Sequence, residues 1–244
     1  MALTLLAAAT PSAAVVAFAG TGQDFFGDAE VSFPTATPTV VGTALDLGAL
    51  VDNEVLAAYP LAAAGTFGAA DDVVALFQLG LTRRSDDFDP VFLVSDGTNV
   101  VGGQVGDNPN GSARAIDGTL AGATVTVSGD PLLFDNAGFP ALDGSLEAEV
   151  EVQMGATGSD VRVAFLGSEV TFSSTRVLDR SAELSFLIVA NSQVGTGELY
   201  RLEAANLEIE LPEPSALATL WVGAAVLGVF AARRRRDCRP GLPG

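Results

Sequence analysis

The strictest constraint on this chain is an alternation. In the stretch SLEAEVEVQ, Leu146, Ala148, Val150 and Val152 occupy every second position, and Glu147, Glu149 and Glu151 lie between them. Successive side chains of an extended strand point to opposite faces, so the stretch has one dry face and one wet face only as a strand. Wound as a helix, it would scatter the same residues around the axis. The pattern recurs at Val125 and Val127, and at Val161, Val163 and Phe165. It returns at Ala182, Leu184, Phe186 and Ile188, and at Leu207, Ile209 and Leu211, with Glu208 and Glu210 outward. Further strands are predicted over 73–82, 91–95, 99–105, 170–173 and 198–202. Turn-forming runs SDGTN, GDNPNG, SGDP and LDGS punctuate them. About ten to thirteen short strands and no long amphipathic helix predict an all-β chain. The expected architecture is an antiparallel β-sandwich of jelly-roll or lectin-like type. Residues 45–58 are ambiguous and would also accept a turn or two of helix.

Charge and chemistry narrow the function classes. The chain carries 30 acidic side chains against 12 basic ones, with no His and one Cys, in 244 residues. Every basic residue is Arg, and five of them lie in the last dozen positions. Only Glu213 and Asp237 of the acidic residues fall outside 20–211, so that stretch holds 28 acids against 7 Arg, a net charge near −21. Such a surface repels phosphate, which excludes nucleic acid as a partner. The sole cysteine, Cys238, leaves 20–211 without disulfides, so its core must hold by burial. Without His or Cys there, the usual zinc ligands, the Ser-His-Asp triad and the Cys-His dyad are all missing from it.

The two ends read as addresses. The N-terminus, MALTLLAAATPSAAVVAFAG, is an apolar run ending in Ala17-Phe18-Ala19. That is a small-x-small pattern, which predicts a signal peptide over 1–19 cut after Ala19 by signal peptidase following Sec export. No Lys or Arg precedes the run; the competing reading, a buried Ala-rich helix, is opposed by Pro11. At the other end stands LPEPSALATLWVGAAVLGVFAARRRR. Pro212 and Pro214 interrupt secondary structure. Ser215–Ala232 is an uncharged run of 18 residues, near the lower limit of about 17 for a membrane-spanning helix. Arg233, Arg234, Arg235 and Arg236 then mark the cytoplasmic side and stop transfer.

Pro212-Glu213-Pro214, the short apolar helix and the Arg cluster together resemble the PEP-CTERM sorting signal. The resemblance covers about a tenth of the chain. It implies an exosortase as partner, cutting at or near the Pro-Glu-Pro step. It also implies delivery to the cell envelope, surface or extracellular matrix after a transient stay in the inner membrane. One departure is the continuation DCRPGLPG, residues 237–244, a short cytoplasmic tail. A plain C-terminal membrane anchor is the competing reading. Sorting says nothing about what the β-rich body at 20–211 does.

Three features of that body carry potential chemistry. Asp86, Asp87 and Asp89 cluster between two predicted strands, with Asp96 after the next. Ca²⁺ needs several oxygen ligands and such a loop would supply some, but the EF-hand spacing is absent. A solvated loop pairing with Arg83 or Arg84 is the plainer reading. Asn110-Gly111-Ser112 is formally a glycosylation sequon, though its composition is that of a hairpin turn. Glu147, Glu149 and Glu151 form a row that a glycosidase would need in a cleft, while any half-wet strand shows the same pattern. Sugar-stacking residues are scarce: the Tyr are Tyr59 and Tyr200, and Trp221 lies in the tail. These residues predict a non-enzymatic exported envelope or matrix protein. The alternative is a carbohydrate-binding module at the same location, with extracellular polysaccharide as partner and calcium as a candidate cofactor.

Overall fold

A computed structural model describes residues 15–35, 37–47, 53–83, 88–106, 112–128, 132–133, 145–165, 168–192 and 200–210. In chain order these form β1 (Val15–Thr21), α1 (Gly22–Gly27), β2 (Thr39–Val41), β3 (Ala44–Asp46), β4 (Val55–Ala62), β5 (Val73–Arg83) and β6 (Phe88–Ser95). There follow β7 (Asn99–Gly106), β8 (Ser112–Ala121), β9 (Thr124–Val127), β10 (Leu132–Leu133), β11 (Ser145–Met154) and β12 (Ser159–Phe165). The last are β13 (Ser168–Ser174), β14 (Leu184–Ser192) and β15 (Tyr200–Glu210).

The strands pair antiparallel throughout, in two sheets. The larger has eight strands in the order β13-β12-β11-β5-β15-β3-β2, with β1 also on β15. The smaller has seven, in the order β10-β8-β7-β6-β14-β4, with β9 on β8. Alternation places Val73, Ala75, Phe77 and Leu79 of β5 and Val150 and Val152 of β11 on the inner face of the larger sheet. Phe92, Val94, Val101, Phe186 and Ile188 answer them from the smaller sheet. The layers meet at Phe77 and Phe186, whose ring centroids are 4.6 Å apart, and Phe186 stacks on Phe92 at 6.2 Å. With no disulfide in the body, this aromatic contact between layers and the aliphatic side chains around it supply the cohesion.

The smaller sheet has a second apolar face. Val91, Leu93, Leu187 and Val189 alternate with the inward residues of β6 and β14, and cluster with Val55, Val100, Ile116 and Val125. This face is the inside of a roll, because the sheet curls until its edges touch. The Val55 N–H donates to the Ala123 carbonyl at 2.8 Å, and the Val125 N–H donates to the Asn53 carbonyl at 2.8 Å. The curl needs positions without side chains. A Cβ on Gly102 would strike the backbone of Phe92 and Leu93, and one on Gly118 the backbone of Thr126. Runs such as PVFLVS are therefore apolar at consecutive positions because both faces of their strand are buried.

Several sequence expectations are corrected. Of residues 45–58, 48–52 lie outside the described residues, and the described ones hold no helix: β3 ends at Asp46 and β4 begins at Val55. The Ala-rich composition favours helix, but burial of Val55, Leu56 and Ala57 in the sandwich overrides that preference. Ala182 lies ahead of β14 rather than within it. The strands expected over 198–202 and from Leu207 are one strand, β15, bulged between Leu202 and Ala204. Leu211 lies outside the described residues.

At the N-terminal side, the described residues begin with a strand of the larger sheet. β1 pairs with β15 from Val15↔Ile209 to Thr21↔Ala204, so the expected cut after Ala19 falls inside a paired strand. Phe18 is buried, edge-on to Phe25 at 5.2 Å and to Tyr59 at 5.6 Å. The Tyr59 hydroxyl donates to the Ala17 carbonyl at 3.0 Å. Thr21 then closes a capping box at the start of α1. Its hydroxyl oxygen accepts from the Asp24 N–H at 3.2 Å, and its own N–H donates to the Asp24 carboxylate at 2.9 Å.

Candidate functional site

The outer face of the larger sheet carries an ordered set of polar side chains. Register fixes their positions. Gln78 lies opposite Glu149 and Asn206, while Glu151 lies opposite Arg162. The side chains then join across the strands. Asn206 Nδ2 donates to Glu208 Oε1 at 2.8 Å and to Gln78 Oε1 at 3.1 Å. Gln78 Nε2 donates to Glu149 Oε2 at 3.0 Å. Arg162 takes up the line: Nε and Nη2 donate to Glu151 Oε2 at 3.0 and 2.9 Å. Its Nη2 also donates to Glu149 Oε1, and its Nη1 reaches Glu169 Oε2 at 3.4 Å. The result is a ladder across β15, β5, β11, β12 and β13.

Its electrostatics follow from the pairing. The Gln78 amide and then the Arg162 guanidinium hold the Glu149 carboxyl below the usual carboxylate range, against a smaller upward push from partial burial. Burial works against the charge of Arg162, but Glu151 and Glu149 outweigh it and raise its pKa. Glu147, Glu149, Glu151, Glu169 and Glu208 share this face with Arg162, which leaves it acidic.

A second polar group ties the smaller sheet to the connection between β13 and β14. Ser174 Oγ donates to Asp117 Oδ2 at 2.6 Å, and Arg176 Nη1 donates to Asn99 Oδ1 at 3.1 Å. The Asp96 carboxylate accepts from the N–H groups of Thr98, Asn99 and Asp179 at 2.8, 2.6 and 2.8 Å. Asp96 is thus a turn anchor. Its acceptor capacity goes to these N–H groups and to the Asn99 side-chain amide, which donates to Oδ2 at 3.2 Å.

The sequence-expected residues fare unevenly. Glu149 and Glu151 come together, and both are held by Arg162. Asp86 and Asp87 lie outside the described residues, as does the side chain of Asp89. Among the described residues no group of acidic, His or Cys side chains is arranged to hold a metal ion. Asn110 and Gly111 lie outside the described residues, between β7 and β8, which pair as neighbours from Asn99↔Thr119 to Gly106↔Ser112. Pro212, Glu213, Pro214 and Arg233–Arg236 also lie outside, and among the described residues no helix is long and apolar enough to cross a membrane. Gln78, Asn206 and Arg162 were missed. Their signal was a polar residue at an outward position of an alternating strand, which becomes a constellation only once the strand order is known.

No family model and no curated protein matches the sequence. Among solved structures, the chain is similar to the CBM2 module of Lactobacillus casei BL23 phage J-1 evolved Dit. The TM-score is 0.50 at 7% identity, over 84% of this chain and 100% of that one. Peanut lectin is similar at TM-score 0.46 and 12% identity, over 83% and 98% of the two chains. The alginate lyase Aly36B gives 0.44 and 9%, over 84% and 99%. What is shared at the first of these likenesses is the fold, an antiparallel β-sandwich of two sheets.

Proposed function

We propose that this protein is an exported, non-enzymatic β-sandwich module that binds polysaccharide at the cell surface or in the extracellular matrix. The observation that carries the reading is the polar ladder. Amide, carboxylate and guanidinium groups stand in rows ~4.8 Å apart on neighbouring strands. Each is held by its neighbours, so a ligand would freeze few rotamers on binding. The likeness to a CBM2 module supports the same reading. The inside of the smaller sheet's roll is filled by Leu93, Leu187, Ile116 and their neighbours, which turns attention to the larger sheet. The acidity of the ladder favours a neutral or amino-bearing polymer and opposes a uronate.

Affinity electrophoresis through gels containing a neutral glucan, chitosan or alginate tests this. The expected result is retardation by the first or second, weakened severalfold in Gln78→Ala and Asn206→Ala. Mobility unchanged by every polymer, or retardation indifferent to both substitutions, would refute it.

Delivery belongs to the same proposal. Pro212-Glu213-Pro214 with Arg233–Arg236 supports processing by an exosortase. Mass spectrometry of the mature protein from its own cells reads the outcome: an intact ARRRR segment would refute sorting.

A further inference from the structure

We infer that the leader of this protein is removed between Ala14 and Val15, five residues before Ala19, so that the working chain begins with β1. The inference rests on the export reading proposed above and sharpens it. A residue cannot leave with a cleaved leader and also form part of the folded body. Val15–Ala19 belong to the body on three counts. They make ladder pairs with β15, from Val15↔Ile209 through Ala19↔Asn206. They supply Phe18 to the main core, beside Phe25 and Tyr59. They offer the Ala17 carbonyl that accepts the Tyr59 hydroxyl at 3.0 Å.

Removing them would strip β1 to Gly20 and Thr21 and leave the β15 edge without its partner along Asn206–Ile209. An open edge of that kind invites pairing with other chains. It would also leave the buried ring of Phe25 and the hydroxyl of Tyr59 without their partners from β1.

The sequence ahead of β1 supplies a better site. Ala2–Ala9 is a run of Ala and Leu with Thr4 as its one polar residue, and its length lies inside the ~7–15 range of a leader's apolar core. Thr10 and Pro11 end it. Ser12-Ala13-Ala14 then places small side chains three residues and one residue before the bond to Val15, the pattern signal peptidase requires. At the site after Ala19 the apolar run continues through Val15, Val16 and Phe18 almost to the bond, with no polar stretch between.

The test is N-terminal sequencing of the full chain recovered from the envelope of an exporting Gram-negative host. The expected first residues are Val15-Val16-Ala17-Phe18. A start at Gly20 would overturn the inference while leaving export standing. A full-length chain confined to the cytosol would overturn export and the cut with it. Two variants separate the sites. Ala14→Leu should reduce cleavage at least tenfold and accumulate precursor. Ala19→Leu, at an exposed position of β1, should leave the cut unchanged. The reverse pattern would refute the assignment.

Discussion

Replacing Phe18 by Ala tests whether β1 is part of the sandwich. The ring is 8% exposed and packs edge-on against Phe25 and Tyr59 at centroid distances of 5.2 and 5.6 Å. Phe→Ala in a core costs about 3–5 kcal/mol, combining lost transfer energy with the cavity left behind. Phe18 sits on a strand that pairs on one side only, where neighbours relax more readily, so the lower part of the range applies, about 3–4 kcal/mol. The aromatic contacts, about 0.5–1.5 kcal/mol each, are contained in that figure. At about 2–4 °C per kcal/mol for a body of this size, the melting temperature should fall by about 6–16 °C. Urea unfolding of the chain over 15–211, followed by far-ultraviolet circular dichroism, gives the free energy directly. The control is Val16→Ala on the same strand: Val16 is 54% exposed, and its loss should stay within about 0.5 kcal/mol. A Phe18→Ala cost below about 1 kcal/mol, or equal to that of Val16→Ala, would mean that β1 does not pack as described.

Two further perturbations probe other links. Gly103 faces the larger sheet, and a Cβ there would lie 2.7 Å from Val163 Cγ2 and 3.2 Å from Val150 Cγ1. Gly103→Val should therefore destabilise by about 1–3 kcal/mol through overpacking, and an unchanged urea midpoint would show that the layers are looser than drawn. Glu149 has a folded pKa below its ordinary value, so its contribution is complete above the unfolded value near 4.3 and is lost as pH falls through the folded one. Glu149→Gln should flatten stability against pH below about 4.3, by less than about 1 kcal/mol because its side chain is 29% exposed. An acid limb identical to the parent chain would remove Glu149 from the pH dependence.

Much of the sheet content was legible because alternation is a local signal. The burial of Val150, Val152, Val161 and Val163 follows from period two alone. β6 and β14 were legible as strands, but the double burial of Leu93 and Leu187 was not, since it depends on the sheet rolling back on itself. β1 was read as leader because an apolar edge strand and an apolar leader share a composition. Pairing with β15, almost two hundred positions away, is invisible in that composition. Of the candidate site, the Glu row was visible, and its partners Gln78, Asn206 and Arg162 were not.

By itself, the sequence determined the all-β class and the acidity. It also ruled out disulfides, His or Cys ligands and the Ser-His-Asp triad for the body, because residue types alone decide these. The tertiary structure alone decided which strands lie side by side. That choice brings Asn206, Gln78, Glu149 and Arg162 into one ladder, fills the roll of the smaller sheet, and pairs Val15–Thr21 with β15. Strand order is set by contacts between residues distant in sequence, where no local pattern reaches.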